Sequence, residues 1–501
     1  MTNIITRAII NPTCSLVETD LNFNIVRTVN YAEFISMIDK WKTMLLEKYD
    51  AKAGETIFLH GHPSATYYSA LFAACELGLI NVLDMPRCHN ESDLYTERTK
   101  KSAPVDYMVR TNYQIDIFGP GAESEDSLRV WSPRPNFKWA LERDRLYSRN
   151  IIKLEDYEEY TPADTAKYAD VVWCTPDSPV IRFPSSGTTG DPKTIFDTHS
   201  RCMAMAQRYA DYTGMTVGES AIHQNNLNHG SVLVVHWLPS MMSCSTHYTV
   251  NPTNSVGMVQ FANKMKINRV MLYTTKLLAD WLHEIEPVDH DMRIQTLYQI
   301  TPDIVSLVRE KNVACVYGNF GASEIGGAFF TKEITPATDP NTYNTTNLGK
   351  PFDDMWQLDI RDGKLWVKSD MLGQEWTTSN DRFELRDGNY WFMGRDNRYR
   401  IGEDWIDLNA FEQQIAIYFG NDANIVVDAD LQKLYLALWK PNAFGERQLE
   451  DYLKNNFVAL RLDYTMRDQP RDLYFGDRKL DYDRVRGFCR NGLGLNFTPC
   501  A

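Results

Sequence analysis

The sequence predicts an α/β protein of more than one domain, and three observations carry that prediction. The chain runs to 501 residues, more than a single hydrophobic core ordinarily serves. Near its start a short apolar run at 56–59 is followed by an amphipathic stretch at 64–77 and a second apolar run at 80–83. Strand, helix and strand in that order imply a parallel sheet with right-handed crossovers. Residues 345–395 are by contrast β-rich, with Asp362-Gly363 and Asp387-Gly388 marking two hairpins.

Composition narrows the classes of function. The chain has 52 Lys and Arg against 66 Asp and Glu, a net charge of −14, which suits no nucleic-acid partner held through its phosphates. Nine cysteines lie scattered without a C-x-x-C pair, so neither a zinc nor a disulfide framework is expected. Reduced thiols fit a cytoplasmic protein. The first residues lack the apolar core of a signal peptide, and no stretch approaches the ~18 apolar residues of a membrane span.

Taken in order, Phe34, Ile35, Ile38, Trp41 and Leu45 recur at helical period between Tyr31 and Leu46. Residues 53–55 turn the chain into the strand at 56–59, and Gly78 ends the helix at 64–77. Residues 90–175 are polar and weakly patterned, read as helices plus a loop-rich connection. A strand at 180–183 leads into a glycine- and hydroxyl-rich segment, a second strand begins at Thr194, and a helix at 201–212 takes Ser200 as its N-cap. A further α/β unit follows, a strand at 269–273 with a helix at 275–285, and then a helix at 302–311 leads into the run Val313-Ala314-Cys315-Val316-Tyr317.

The segment between the strands at 180–183 and 194–196 is Pro184-Ser185-Ser186-Gly187-Thr188-Thr189-Gly190-Asp191-Pro192-Lys193. Two glycines let backbone N–H groups turn inward, the hydroxyls add donors, and Lys193 adds charge. That chemistry suits a polyphosphate, although a surface hairpin that binds nothing would share the composition. It is not the Walker pattern, because Asp191-Pro192 separate glycine from lysine and a strand, not a helix, follows. Downstream, His223-Gln224-Asn225-Asn226-Leu227-Asn228-His229-Gly230 precedes a buried apolar run, and its amides and imidazoles need partners. His223 reads as a satisfied structural histidine.

Ser185 to Lys193 resembles the phosphate-binding signature of the adenylate-forming superfamily, which includes acyl-CoA synthetases, nonribosomal peptide synthetase adenylation domains and luciferase. The resemblance implies nucleotide contacts from Ser185, Ser186, Gly187, Thr188, Thr189, Gly190 and Lys193, with Thr188 also catalytic. Phe320-Gly321-Ala322-Ser323-Glu324 resembles the family's aromatic-Gly-x-Thr/Ser-Glu. It implies that Phe320 faces adenine, that Gly321 and Ser323 contact the nucleotide, and that Glu324 is a catalytic Mg²⁺ ligand. His229, with Asn228 and Gly230, falls where the family lines its acyl pocket. Asp381 is placed on the ribose hydroxyls, Arg395, also catalytic, on ribose and phosphate, and Asp396 at a hinge. Arg478-Lys479-Leu480-Asp481-Tyr482 is similar to the segment whose lysine promotes adenylation, so Lys479 is the catalytic candidate there.

The implied fold is a large N-terminal domain, 1–393, with two α/β subdomains and a β-rich subdomain, followed by a small mobile α/β domain, 394–501. The implied reaction uses ATP and Mg²⁺ to convert a small-molecule carboxylate, small or polar, into an acyl-adenylate with release of pyrophosphate. Transfer to a thiol follows, with CoA or the phosphopantetheine of an acyl or peptidyl carrier protein as acceptor. Four departures stand beside this. Gly318 replaces the usual Asn, Asn380 and Arg478 each replace a glycine, and one residue is missing after Gly394-Arg395. Asn380 is compatible with a glycine site because Asn also accepts positive φ. The departures leave open a nucleotide-binding homologue without turnover, and the acceptor could equally be an amine or hydroxyl.

Overall fold

A computed structural model describes residues 3–20, 22–60, 63–82, 105–110, 148–184, 194–223, 230–250, 255–272, 275–297, 300–322, 325–372 and 374–395, and then short stretches to 499: 398–401, 404–407, 423–428, 433–438, 464–466, 474–475, 479–480, 497–499 and the helical positions 411, 415, 445, 447–449 and 453. The chain divides into two compact units. The first comprises Met1–Asp359 and Trp366–Ser379, and the second Ile360–Leu365 and Asn380–Ala501.

The first unit opens with β1 (Ser15–Thr19), β2 (Ile25–Asn30) and α1 (Tyr31–Glu47). The Asn30 side chain accepts from the Glu33 N–H at 3.0 Å and so starts α1, whose buried face is Phe34, Ile38, Trp41 and Leu45. β3 (Thr56–His60), α2 (Ala65–Glu76) and β4 (Ile80–Val82) follow as the periodicity predicts, with Ser64 capping α2 and Gly78 at φ +67 closing it. Within the weakly patterned region the structure adds β5 (Val105–Arg110), β6 (Ser148–Lys153) and α3 (Leu154–Glu159). Next come β7 (Pro179–Pro184), β8 (Thr194–Thr198) and α4 (His199–Thr213). Here one expectation is corrected. Thr198, not Ser200, caps α4, its hydroxyl accepting from the Arg201 N–H at 3.3 Å, so the helix begins two residues before the predicted 201.

The remainder alternates. β9 (Ser220–His223) leads to α5, a helical run made of Gly230–Val232, a π-helical turn Leu233–Trp237, and Leu238–Ser243. Then follow β10 (Thr246–Thr249), α6 (Ser255–Lys264), β11 (Arg269–Leu272), α7 (Thr275–Glu284), β12 (Arg293–Leu297), α8 (Pro302–Glu310), β13 (Cys315–Ala322) and β14 (Gly327–Ile334).

These strands form two sheets. One has the order β6-β5-β3-β4-β7-β8, parallel throughout except for the antiparallel edge pair β7/β8. The other has the order β14-β13-β12-β11-β9-β10-β1-β2, parallel in its interior and antiparallel at the edges β13/β14 and β1/β2. The larger sheet has two unlike faces. Ile222, Val270, Leu272, Ile294 and Val316 pack with Met258, Trp281, Leu282, Ile304 and Val308 of α6, α7 and α8 into an apolar core. The register places His223, Arg269, Gln295 and Asn319 on the opposite face. There Asn319 accepts from the Tyr209 hydroxyl of α4 at 3.0 Å, and Arg269 donates to the Thr213 and Gly214 carbonyls at 3.0 and 2.7 Å.

In the second unit the turns at Asp362-Gly363 (φ +51, +75) and Asp387-Gly388 (φ +49, +74) have positive φ at both central residues, the hairpin geometry expected of Asp-Gly. The second joins strands Thr377–Arg386 and Asn389–Arg395, and Asn380 lies inside the first of these, in extended backbone. Beyond it, Arg398–Ile401 pairs with Asp404–Asp407, and Ala423–Asp428, Lys433–Leu438, Tyr464–Met466 and Phe497–Pro499 make a four-stranded sheet.

Candidate functional site

In each sheet of the first unit an antiparallel edge hairpin has a connection that carries one of the nucleotide motifs. Residues 185–193 join β7 to β8, and residues 323–326 join β13 to β14. Ser185, Ser186, Gly187, Thr188, Thr189, Gly190, Lys193, Ser323 and Glu324 themselves lie outside the described residues, as do Asn228, His229 and Asp396. What the structure describes are the strands and turns that hold these segments at both ends.

The β13/β14 connection is held by glycine contacts. A Cβ on Gly321 would fall 2.0 Å from the Gly327 carbonyl oxygen, so only glycine permits the two strands to approach there. Gly326 has φ +83, and its Cβ would lie 2.9 Å from Arg201 Nη2. The ladder also slips by one residue between Phe320 and Gly321, an irregularity of the kind that re-aims strand ends beside active sites. Phe320 is buried, its ring edge-on to Phe329 at 5.6 Å and to Phe330 at 6.3 Å. Beside it Asn319 accepts from Tyr209 and Thr331 hydroxyls, both at 3.0 Å, and donates to the Thr296 carbonyl at 3.1 Å. A side chain at Gly318 would meet Ile300 Cδ1 at 2.7 Å, which gives this glycine a packing reason.

This arrangement fits a Mg²⁺ brought with a polyphosphate better than a metal caged by protein. Mg²⁺ takes one or two carboxylates and keeps phosphate oxygens and water. Among the described residues no three His, Cys, Asp or Glu side chains gather closely enough to hold a metal. The turn after Glu324 is backed by glycines, with Arg201 packed against Gly326 and Met205 against Gly327.

A layer of histidines lies on the polar face, where β9 ends and residues 224–229 begin. His223, His236 and His247 are all buried. Their tautomers follow from their partners. His247 donates Nε2–H to the Cys244 carbonyl at 3.2 Å, so its Nδ1 accepts, at 3.0 Å, from His223 Nε2–H. His236, within the π-helical turn of α5, donates Nε2–H to the Ile222 carbonyl at 3.0 Å. Its Nδ1 therefore carries the lone pair and stands 2.5 Å from Gln295 Oε1; exchanging the O and N of that amide turns two facing acceptors into a donor–acceptor pair and gives the otherwise unpartnered NH₂ its bond. Burial lowers the pKa of all three, with the neighbouring imidazoles adding to the shift at His223; His247 falls to about 4. His223 is thus a satisfied structural histidine, as expected, although in a strand end and not a turn. Gly230, assigned to substrate, is the first residue of α5.

In the second unit Asp381 and Arg395, both assigned to the ribose, are register partners across the antiparallel pair. Asp381 is buried. Lys479 begins a two-residue strand paired with Tyr474–Phe475.

Sequence reasoning missed Asn319, the His236 and His247 partners of His223, and an ion pair between Asp197 of β8 and Arg201 of α4 at 3.0 Å. The i,i+4 spacing of an acid and an arginine across a helix start was a readable signal for the last. The histidine layer joins residues up to 59 positions apart and left none.

A family model described as AMP-binding enzyme matches residues 17–369. No curated protein sequence matches the chain. Among solved structures, O-succinylbenzoate coenzyme A synthetase (MenE) from Bacillus subtilis in complex with AMP superposes with a TM-score of 0.70 at 17% identity, covering 96% of this chain and 97% of that one. A fatty acyl-adenylate ligase structure, from work on the E. coli and L. pneumophila enzymes, gives 0.71 at 15% identity, with 96% of each chain covered. McyG A-PCP complexed with phenylalanyl-adenylate gives 0.71 at 14%, covering 98% of this chain and 84% of that one.

Proposed function

Because the chain belongs to the AMP-binding enzyme family, we propose that it uses ATP to activate a carboxylic acid as an acyl-adenylate, releasing pyrophosphate. The observation that carries this reading is the pair of edge hairpins in the first unit, one connection bearing the hydroxyl- and lysine-rich segment 185–193 and the other bearing Glu324. Attack of a carboxylate on the α-phosphorus brings anion to anion. Backbone and hydroxyl donors of residues 185–190, together with Lys193 and Lys479, offset the charge that develops. Mg²⁺ held by Glu324 would supply further neutralisation at the phosphates. Asp381 and Arg395, side by side in register, hold the ribose.

The acid is small or polar. A long alkyl chain against the 224–229 amides would bury them without partners, at about 1–3 kcal/mol for each group. Transfer to a thiol completes the reaction, with CoA or a carrier-protein phosphopantetheine as the acceptor, and the segment from residue 394 onward acts as the mobile domain, hinged at Asp396. MenE and McyG, which share the fold, carry coenzyme A and A-PCP in their names and are consistent with either acceptor. ATP–pyrophosphate exchange with pooled carboxylic acids tests the reading. Acid-dependent exchange supports it, and ATP binding without exchange would instead identify a homologue that has lost turnover. Exchange that peaks with acids of about twelve or more carbons would overturn the assignment to a small or polar acid.

A further inference from the structure

Residues 5–15 are bound to α1, α2, α4 and α5 in turn, and the chemistry that holds them differs between the two ends. At residues 11–15 the partners are backbone carbonyls. Asn11 donates its N–H to the Met241 carbonyl at 3.0 Å and its side-chain amide to the Ser243 and Cys244 carbonyls at 2.7 and 3.2 Å. The Ser15 N–H reaches the Ser245 carbonyl at 2.9 Å, where β1 begins beside β10. At residues 5–7 the partners are side-chain atoms that also bind protons. Ile5 donates its N–H to Nδ1 of His199, the first residue of α4, at 3.1 Å. Arg7 donates its N–H to Glu76 Oε1 of α2 at 2.8 Å. Its guanidinium reaches the two Glu76 oxygens at 2.9 and 2.8 Å and Asp39 of α1 at 2.5 Å.

At both of these partners a proton competes with the segment for one atom. His199 is fully buried. Because its Nδ1 accepts, its proton sits on Nε2, which has no partner among the described residues. A second proton can only go to Nδ1, the lone pair that the Ile5 N–H occupies. Around Glu76, Arg7 and Lys42 face Glu76 and Asp39, two cations against two carboxylates. Lys42 is fully buried and also donates to the Ala169 and Val171 carbonyls at 3.0 and 2.6 Å. A protonated Glu76 leaves one cation in excess, and Arg7, whose side chain is 19% exposed, is the one with access to water. The other charges beside His199 in sequence, Asp197 and Arg201, are paired with each other at 3.0 Å.

The directions of titration agree. Burial lowers His199 to about 4. At Glu76 burial works upward, but hydrogen bonds and charge from Arg7, with the Lys42 hydrogen bond, hold the carboxyl below its usual range. Both folded values lie below the unfolded ones. The His199 attachment is therefore complete above pH ~6.5 and weakens toward ~4, and the Glu76 attachment is lost only at still greater acidity.

We propose that residues 3–10 form a proton-released strap latched through Ile5 and Arg7: acid detaches them from α1, α2 and α4, while residues 11–15 stay fixed on α5 and β10. The latch needs no ligand and is independent of the nucleotide reading.

Amide hydrogen exchange of the full-length chain, read by mass spectrometry with residue-level fragmentation at pH 7.5 and 4.5 and corrected for intrinsic rates, tests this. Protection at Ile5 and Arg7 should fall about tenfold or more relative to Asn11 and Cys14 on going to pH 4.5. In His199→Asn an amide oxygen that does not titrate takes the place of Nδ1, so most of that fall should disappear. Arg7→Met should lower protection at residues 5–10 at pH 7.5 already, with Asn11 and Cys14 unchanged. Melting temperature identifies a variant that is merely unfolded, and the other variant then decides. A change in one variant alone assigns the latch to that residue. Equal loss of protection at the two ends in acid, or wild-type behaviour in both variants, overturns the proposal.

Discussion

Asn319 shows how much a single side chain settles. Its amide oxygen takes two hydroxyls, from Tyr209 on α4 and Thr331 on β14, while its NH₂ reaches the Thr296 carbonyl on β12. Three elements thus depend on one buried amide next to Phe320. Asn319→Leu removes the acceptor and strands both hydroxyls, at a cost of about 1–3 kcal/mol for each group left unpaired. A urea titration of the variant should show the lower midpoint, and an unchanged midpoint would mean that the hydroxyls find other partners. Asp381 makes the complementary case in the second unit. Asp381→Ala should raise the KM for ATP and for GTP together, because both nucleotides carry the ribose hydroxyls assigned to it; steady-state kinetics with the two nucleotides would expose a misplaced motif by leaving both unchanged.

Among the elements, the polar face of the larger sheet gives stability a pH dependence. Burial lowers the pKa values of His199 and His247 to about 4, from an unfolded value near 6.5. Because the folded values lie below the unfolded one, this stabilisation is fully present above pH ~6.5 and falls as pH drops toward ~4, where the unfolded chain takes up protons that the folded chain refuses. Each histidine accounts for about 3 kcal/mol across that window. Urea midpoints at pH 7.5 and 4.5 should differ accordingly, and His199→Asn should narrow the difference. The elements themselves were largely legible. Helical period announced α1, and Asp-Gly announced both hairpin turns, because these signals are local. β5, β6 and β12 were not found, since their apolar runs are short. The strands on either side of segment 185–193 were legible as local apolar runs. The setting of that segment, the connection of an edge hairpin matched by another on the second sheet, depends on strand order, which no local pattern encodes.

At the scale of the whole molecule the proposed reaction needs two arrangements of one site, and Lys479 separates them. If this lysine meets charge only during adenylation, Lys479→Ala should lose ATP–pyrophosphate exchange by about 10²–10³-fold, the usual effect of removing one preorganised donor. The same variant should still consume a supplied acyl-adenylate when an acceptor thiol is present. Equal loss of both half-reactions would place the lysine in a fixed structural role. The first unit also has a centre of a different kind in α4. Its first turn is capped by Thr198, with His199 Nδ1 accepting from the Ile5 N–H at 3.1 Å. Its last carbonyls are taken by Arg269 and Arg293, and its middle by Asn319 through Tyr209. A helix secured at both ends cannot fray. Its amides from residue 203 onward should therefore exchange with deuterium only when the whole unit opens, whereas the exposed edge strand β2 should exchange by local opening, orders of magnitude sooner.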